Sequence, residues 1–191
     1  MMGQTARQTF EMLENESLWA IARHIDSLLA REGIAYGVLG GVAVSLHGYR
    51  RNTIDLDLLI RREDQEKVFS LLRNAGFEWQ ESRREFAAGS GVAVQFVLAG
   101  DAEGVGQAAK FPEPGDSGRI VRIEGLPVLA LPRLIEAKLA CGLGDMRRMH
   151  KDFADVVELI AIHDLDSSFA RLLHKSVRKA YRQLVTRVRP E

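Results

Sequence analysis

The segment YGVLGGVAVSLHGYRRNTIDLDLLI, residues 36–60, constrains this chain more than any other. It sets two aspartates, Asp55 and Asp57, inside an otherwise apolar run, residues 54–60. Side chains of a strand alternate between faces, so Asp55 and Asp57 share one face and Ile54, Leu56 and Leu58 the other. Aspartate is disfavoured in strands, and neighbouring carboxylates repel. A solvent-facing edge strand would tolerate the pair. A hard, oxygen-seeking cation, Mg²⁺ or Mn²⁺, would stabilise it.

Gly40-Gly41 follows an apolar strand, residues 36–39, and opens a short helix, 42–47, closed by Gly48. Alone, two glycines read as a tight turn. Before a helix they allow close backbone approach and present free N–H groups to phosphate. Combined with the acid pair they outline a nucleoside triphosphate site. Arg50 and Arg51 immediately precede the acidic strand, as phosphate contacts or ordinary surface charges. Thr53 reads as structural and His47 as a packed or capping residue.

The flanking pattern completes an architecture. Residues 15–32 carry Leu18, Ile21, Ile25, Leu28 and Leu29 at helical spacing before Gly33, and a second helix spans 63–74. Strands are expected at 77–80, 84–87, 92–98, 119–124 and 127–130, with a Gly- and Pro-bearing loop at 99–118. Helices follow at 132–142, 149–163 and, unbroken, 167–188. The fold class is α+β (α/β-like): a mixed, twisted sheet flanked by helices, with a C-terminal helical cap. The expected division is residues 1–125 as core with its N-terminal helix, and 126–191 as a helical region packed on it.

The 191 residues suit one domain and can bury a substantial core without disulfides. Cys141 is the only cysteine. Lys plus Arg balance Asp plus Glu at 26 each, which gives no global signal for nucleic acid or membrane. No apolar run reaches membrane-spanning length, and the first twenty residues are unlike a secretory signal. A cytoplasmic protein is the expectation.

Leu39-Gly40-Gly41, then Asp55-Leu56-Asp57 after a short helix, resembles the signature of the polymerase-beta-like nucleotidyltransferase superfamily. The fuller string, with Arg50 and Thr53, is similar to two branches. One is the small nucleotidyltransferases related to abortive-infection toxins of toxin–antitoxin systems; the other acts on antibiotics. Residues 126–131, Leu134-Ile135, Lys138-Leu139 and Lys151-Asp152-x-x-Asp155-Val156 are similar to the first branch. The resemblance implies Asp55 and Asp57 as catalytic metal ligands. It also implies Lys138 as a catalytic and phosphate-binding residue, and Gly40, Gly41, Arg50, Arg51 and Asp152 as nucleotide-binding residues. From the residues alone, Lys138 reads equally as a snorkelling lysine, and Asp152 as an acid near a helix N-terminus.

One departure matters. The superfamily carries a third carboxylate on a neighbouring strand, and Val94-Gln95-Phe96 is the match here. A neutral amide is no general base. Three outcomes stay open: two acids suffice, Asp101 or Glu85 substitutes, or the site is impaired.

Residues 171–190 hold seven basic residues, among them Arg171, Lys175, Arg178 and Arg189, and no acid. They form a solvated face or a surface for RNA phosphates. The expected activity moves an NMP from an NTP to an acceptor (RNA, protein or small molecule), in a toxin-like role with an antitoxin partner. The alternative is an impaired protein of the same fold that binds nucleotide, RNA or a partner.

Overall fold

The computed structural model describes residues 16–104, 106 and 108–188. The first fifteen residues, which bear most of the leader reading, and Arg189 lie outside them. Helix α1, Glu16–Arg31, buries Leu18, Ala22, Ile25 and Leu29, positions that recur on one face. It stops where Gly33 turns to φ 64°, with Gly33 N–H donating to Ala30 and Ile34 N–H to Leu29. This left-handed close is inexpensive only for glycine.

Strand β1, Tyr36–Leu39, is buried at all four positions. Helix α2, Gly40–Leu46, leaves it without a loop. Strand β2, Asp55–Ile60, follows, then helix α3, Gln65–Asn74. Three strands come next: β3, Glu78–Gln80; β4, Glu85–Ala87; and β5, Ala93–Leu98. After a long loop, β6, Ile120–Ile123, and β7, Leu126–Leu129, form a hairpin. Its turn, Glu124-Gly125, has positive φ at both residues, which matches the twist of the strands it joins.

The seven strands form one sheet in the order β3-β4-β5-β2-β1-β7-β6. Strand β2 pairs antiparallel with β1 and parallel with β5, so the acidic strand is central. That excludes the edge-strand reading of Asp55 and Asp57. Leu56, Leu58, Leu59 and Ile60 are all within 1% of full burial. Each such side chain contributes about 1.5–3 kcal/mol.

Helices α4, Leu131–Gly144, and α5, Met146–Ile162, pack on each other and cover the Asp57 face. Pro132 sits in the first turn of α4, where its missing N–H costs nothing. Asp145 caps α5 by accepting from the Arg147 N–H.

The expected unbroken helix over 167–188 is two elements. A 3₁₀ helix, Ser167–Leu172, ends at extended Leu173, and α6, Arg178–Val188, starts afresh. Side chains replace the helical hydrogen bonds at the break. Arg133 donates to the Leu172 carbonyl, Arg178 donates to the Leu173 carbonyl, and the His174 N–H donates to Glu136. These partners come from α4 or from the far side of the break, which local sequence periodicity does not report.

In the long loop Glu103 is fully buried, and neither carboxylate oxygen has a hydrogen-bond partner among the described residues. Burial, and secondarily the charge of Glu136, push its carboxyl up to about 8. The folded state therefore binds this proton more tightly than the unfolded chain, whose carboxyl has its ordinary value of 4.5. Stability from this group is present at low pH and is lost progressively as pH rises from about 4.5 to about 8. Denaturant titrations should show a decline on the order of a few kcal/mol over that window. Glu103→Gln should flatten it; an unchanged slope would contradict this account.

Candidate active site

The β1–β2 register sets Leu39 opposite Asp57. Gly40, the next residue, turns to φ 65° as α2 begins. A Cβ at Gly40 would stand 1.7 Å from Asp57 Oδ2. The carboxylate thus lies directly against a backbone that only glycine can supply. Gly41 is held as closely: its Cβ would meet Thr53 Oγ1 at 2.5 Å and Arg51 Nη2 at 2.8 Å. Both glycines are close-approach residues, and Thr53 is a buried wall of the turn.

Asp57 opens into a cavity of about 140 Å³ with Leu39, Gly40, Gln95, Lys138, Arg148 and Asp152 among its walls. Asp55, one strand repeat away, lines an adjoining cavity of about 580 Å³ with Ile54, Arg83, Glu85 and Gln95. Gln95 belongs to both. Burial raises the Asp57 carboxyl above the ordinary range; Lys138 opposes that shift, and the charge of Asp55 adds to it.

The parallel β2–β5 register puts Gln95 beside Asp57, at the position where a third acid was expected. Its Nε2 donates to Glu85 Oε2 at 2.9 Å. That bond fixes the amide, and Oε1 is left as the acceptor available to the cleft. Glu85 is 6% exposed, two strands from Asp57, hence about 10 Å away. Asp101 follows the far end of β5 and pairs with Arg62 at 2.5 Å. Asp101 is therefore remote, whereas Glu85 reaches the cleft through Gln95.

Beneath the cleft lies a buried ionic cluster. Lys138 Nζ is 2.9 Å from Asp152 Oδ1 and 2.8 Å from Asp155 Oδ2. Arg51 Nε is 2.9 Å from Asp155 Oδ1, and Arg148 Nε is 3.3 Å from Asp152 Oδ2. Lys138, at 5% exposure, is not a snorkelling side chain. Its two partners lie one helical turn apart on α5, and Arg51 reaches the cluster from the turn before β2. Arg50 is exposed and does not line the cleft. Arg148 was absent from the sequence reading; its only local signal is the i, i+4 spacing to Asp152.

Among the described residues, no group of three or more His, Cys, Asp and Glu converges to hold a metal unaided. Two carboxylates and an amide oxygen nonetheless suit Mg²⁺ or Mn²⁺, which keep positions for water and phosphate oxygens. The mutual repulsion of Asp55 and Asp57 is the feature such a cation would relieve.

A seven-stranded mixed sheet with flanking helices, and this acid pair beside a glycine turn, is a nucleotidyltransferase fold. The profile of the family described as "Uncharacterised nucleotidyltransferase" matches residues 4–103, and the chain belongs to that family. Solved structures agree in fold. The antibiotic-resistance factor ANT(2'')-Ia superposes with a TM-score of 0.54 at 14% identity, over 88% of this chain and 95% of that one. A candidate nucleotidyltransferase of Thermotoga maritima gives 0.50 at 18% identity, over 71% of this chain and 89% of that one. Comparison with curated protein sequences gives no match.

Two substitutions probe the geometry. Gly40→Ala should lower stability by about 2 kcal/mol or more, because the new methyl group collides with Asp57 and the left-handed backbone is strained. Lys138→Met should cost about 3–5 kcal/mol by leaving Asp152 and Asp155 buried with one cation fewer. Thermal and denaturant unfolding measure both; near-wild-type midpoints would refute the packing described.

Proposed function

We propose that the chain transfers a nucleoside monophosphate from an NTP to an acceptor hydroxyl, with Mg²⁺ or Mn²⁺ held by Asp55 and Asp57. The observation that carries this reading is the contact of Gly40 with the Asp57 carboxylate, which puts the first N–H groups of α2 beside the acid pair. Those N–H groups and the Gly40-Gly41 backbone would receive phosphate oxygens. Lys138 and Arg148, oriented by Asp152, would supply positive charge to the polyphosphate from the opposite wall. Asp155 would brace Lys138 and Arg51, leaving Arg51 a positioning residue for the glycine turn. Gln95 Oε1 would orient the acceptor hydroxyl or a water. The bound cation would lower the pKa of the attacking hydroxyl and stabilise the leaving pyrophosphate.

The acceptor reading has two arms. The fold likeness to an antibiotic-resistance factor supports a small molecule. The run of basic residues from Arg171 to Arg187 supports RNA, and with it a toxin-like role with an antitoxin partner in the cytoplasm. Among the described residues no helix is long and apolar enough to cross a membrane. A second reading, an impaired enzyme that binds nucleotide without turnover, is favoured by one observation: Gln95 occupies the register position beside Asp57.

Incubation with each labelled NTP, Mg²⁺ or Mn²⁺, and total RNA, protein extract or aminoglycosides separates the readings. Label should move to one acceptor class, and Asp57→Asn should reduce transfer by about a thousandfold or more. Nucleotide binding without transfer to any acceptor would establish the second reading instead. Because the Asp57 carboxyl is raised by burial, transfer should rise with pH as that group ionises. A pH-independent rate through the acidic range would contradict its role.

A further inference from the structure

A second cavity, of about 590 Å³, lies on the other side of α4 from the candidate cleft. Pro132, Arg133 and Glu136 of α4 line it, whereas Leu134, Ala137 and Lys138 line the cleft. One loop borders both, since Ala108–Lys110 faces this cavity and Phe111 the cleft. Five cationic side chains converge on it: Lys110, Arg119, Arg133, Arg171 and Arg178. The whole chain is formally neutral, so this is a strong local concentration of charge.

The one carboxylate in the lining does not balance them. Glu136 is 1% exposed and is already taken by Arg133 and by the His174 N–H. Two further carboxyls act on the lining: the exposed Asp166 on Arg171 alone, and Glu103 on Arg133 and Arg119, where its raised pKa of about 8 keeps it largely protonated at neutral pH. Of the two less exposed arginines, Arg133 is shared between Glu136 and a carbonyl, and Arg178 is held by carbonyls alone. Arg133 donates to the Leu172 carbonyl, and Arg178 donates to those of Leu173 at 2.9 Å and Arg171 at 3.3 Å. Carbonyls orient a guanidinium without cancelling its charge, so Arg178 is pre-positioned with its charge uncompensated, while Arg133 is positioned by Glu136 and the Leu172 carbonyl together. Lys110 and Arg119 are exposed and have no carboxylate partner among the described residues.

We propose that this cavity is a second anion site that binds the phosphate groups of a multiply charged ligand. A cluster of guanidiniums matches phosphate in geometry as well as charge. The volume falls within the range of ligand pockets and accommodates either a polyphosphate or a bend of RNA backbone. The site stands on its own charge balance and does not require the cleft to turn over.

Two probes on the full chain distinguish the sources: inorganic tripolyphosphate by calorimetry, and a short fluorescent single-stranded RNA by anisotropy. The test variant reverses three exposed charges, Lys110→Glu, Arg119→Glu and Arg171→Glu, and leaves the half-buried Arg133 and Arg178 in place. Arg187→Glu, on the same basic helix but outside the cavity, is the control, and circular dichroism confirms folding. At least one probe should bind, and the triple variant should weaken it by about tenfold or more, while Arg187→Glu and Asp57→Asn leave it near wild type. For RNA, the slope of log affinity against log salt should fall by about 0.7 per lost contact. Tripolyphosphate binding identifies a small polyphosphate as sufficient; RNA binding alone identifies the backbone. Absence of binding by both probes, or equal affinity of wild type and the triple variant, overturns the proposal. Equal weakening by Arg187→Glu also overturns it, because the charge would then act as a diffuse surface.

Discussion

The placement of Lys138 between Asp152 and Asp155 is the interaction on which the cleft depends. It joins α4 to α5, and through Asp155 and Arg51 it joins both helices to the turn that precedes β2. Charges buried this deeply are tolerated only when each finds an opposite partner. Every member of the cluster is therefore fixed by the others. The helical layer is held at one distance from the sheet, and that distance defines the cavity above Asp57.

Opposing this ionic floor is a contact of a different kind. Gly40 brings backbone against the Asp57 carboxylate, and Gly41 brings it against Thr53 and Arg51. Arg51 touches both features: its Nη2 lies near Gly41, and its Nε pairs with Asp155. The turn, the acid pair and the ionic cluster thus form one connected unit. A change at Gly41 or Asp155 is expected to reach Asp57 through this arginine, without any contact of its own with a substrate.

Charge is distributed in the molecule with little regard to its neutral total. Around Asp57 cations and anions nearly balance, as the proposed binding of both a metal and a polyphosphate would require. On the other side of α4, five cationic side chains face one lining carboxylate: Arg133 pairs with Glu136, and Arg178 is oriented by carbonyls alone. The helix break at 173–177 creates that second environment, because it exposes the carbonyls of Arg171, Leu172 and Leu173 to Arg133 and Arg178.

The alternation of Asp55, Leu56, Asp57 and Leu58 in sequence already put both acids on one face, and the glycines before a short apolar helix already announced a close approach. These are local rules: strand period two, and the freedom of glycine. The helices and strands up to residue 162 were legible for the same reason, since each carries its own apolar period. Tertiary structure decided the rest. Gln95 meets Asp57 and Glu85 only through strand registers. Asp101, close to β5 in sequence, is removed by the length of a strand. Arg148 joins the cleft because α5 returns along α4, and the last helix breaks because side chains distant in sequence take its carbonyls. Each of these depends on pairing across the chain, a quantity that no local window of sequence contains.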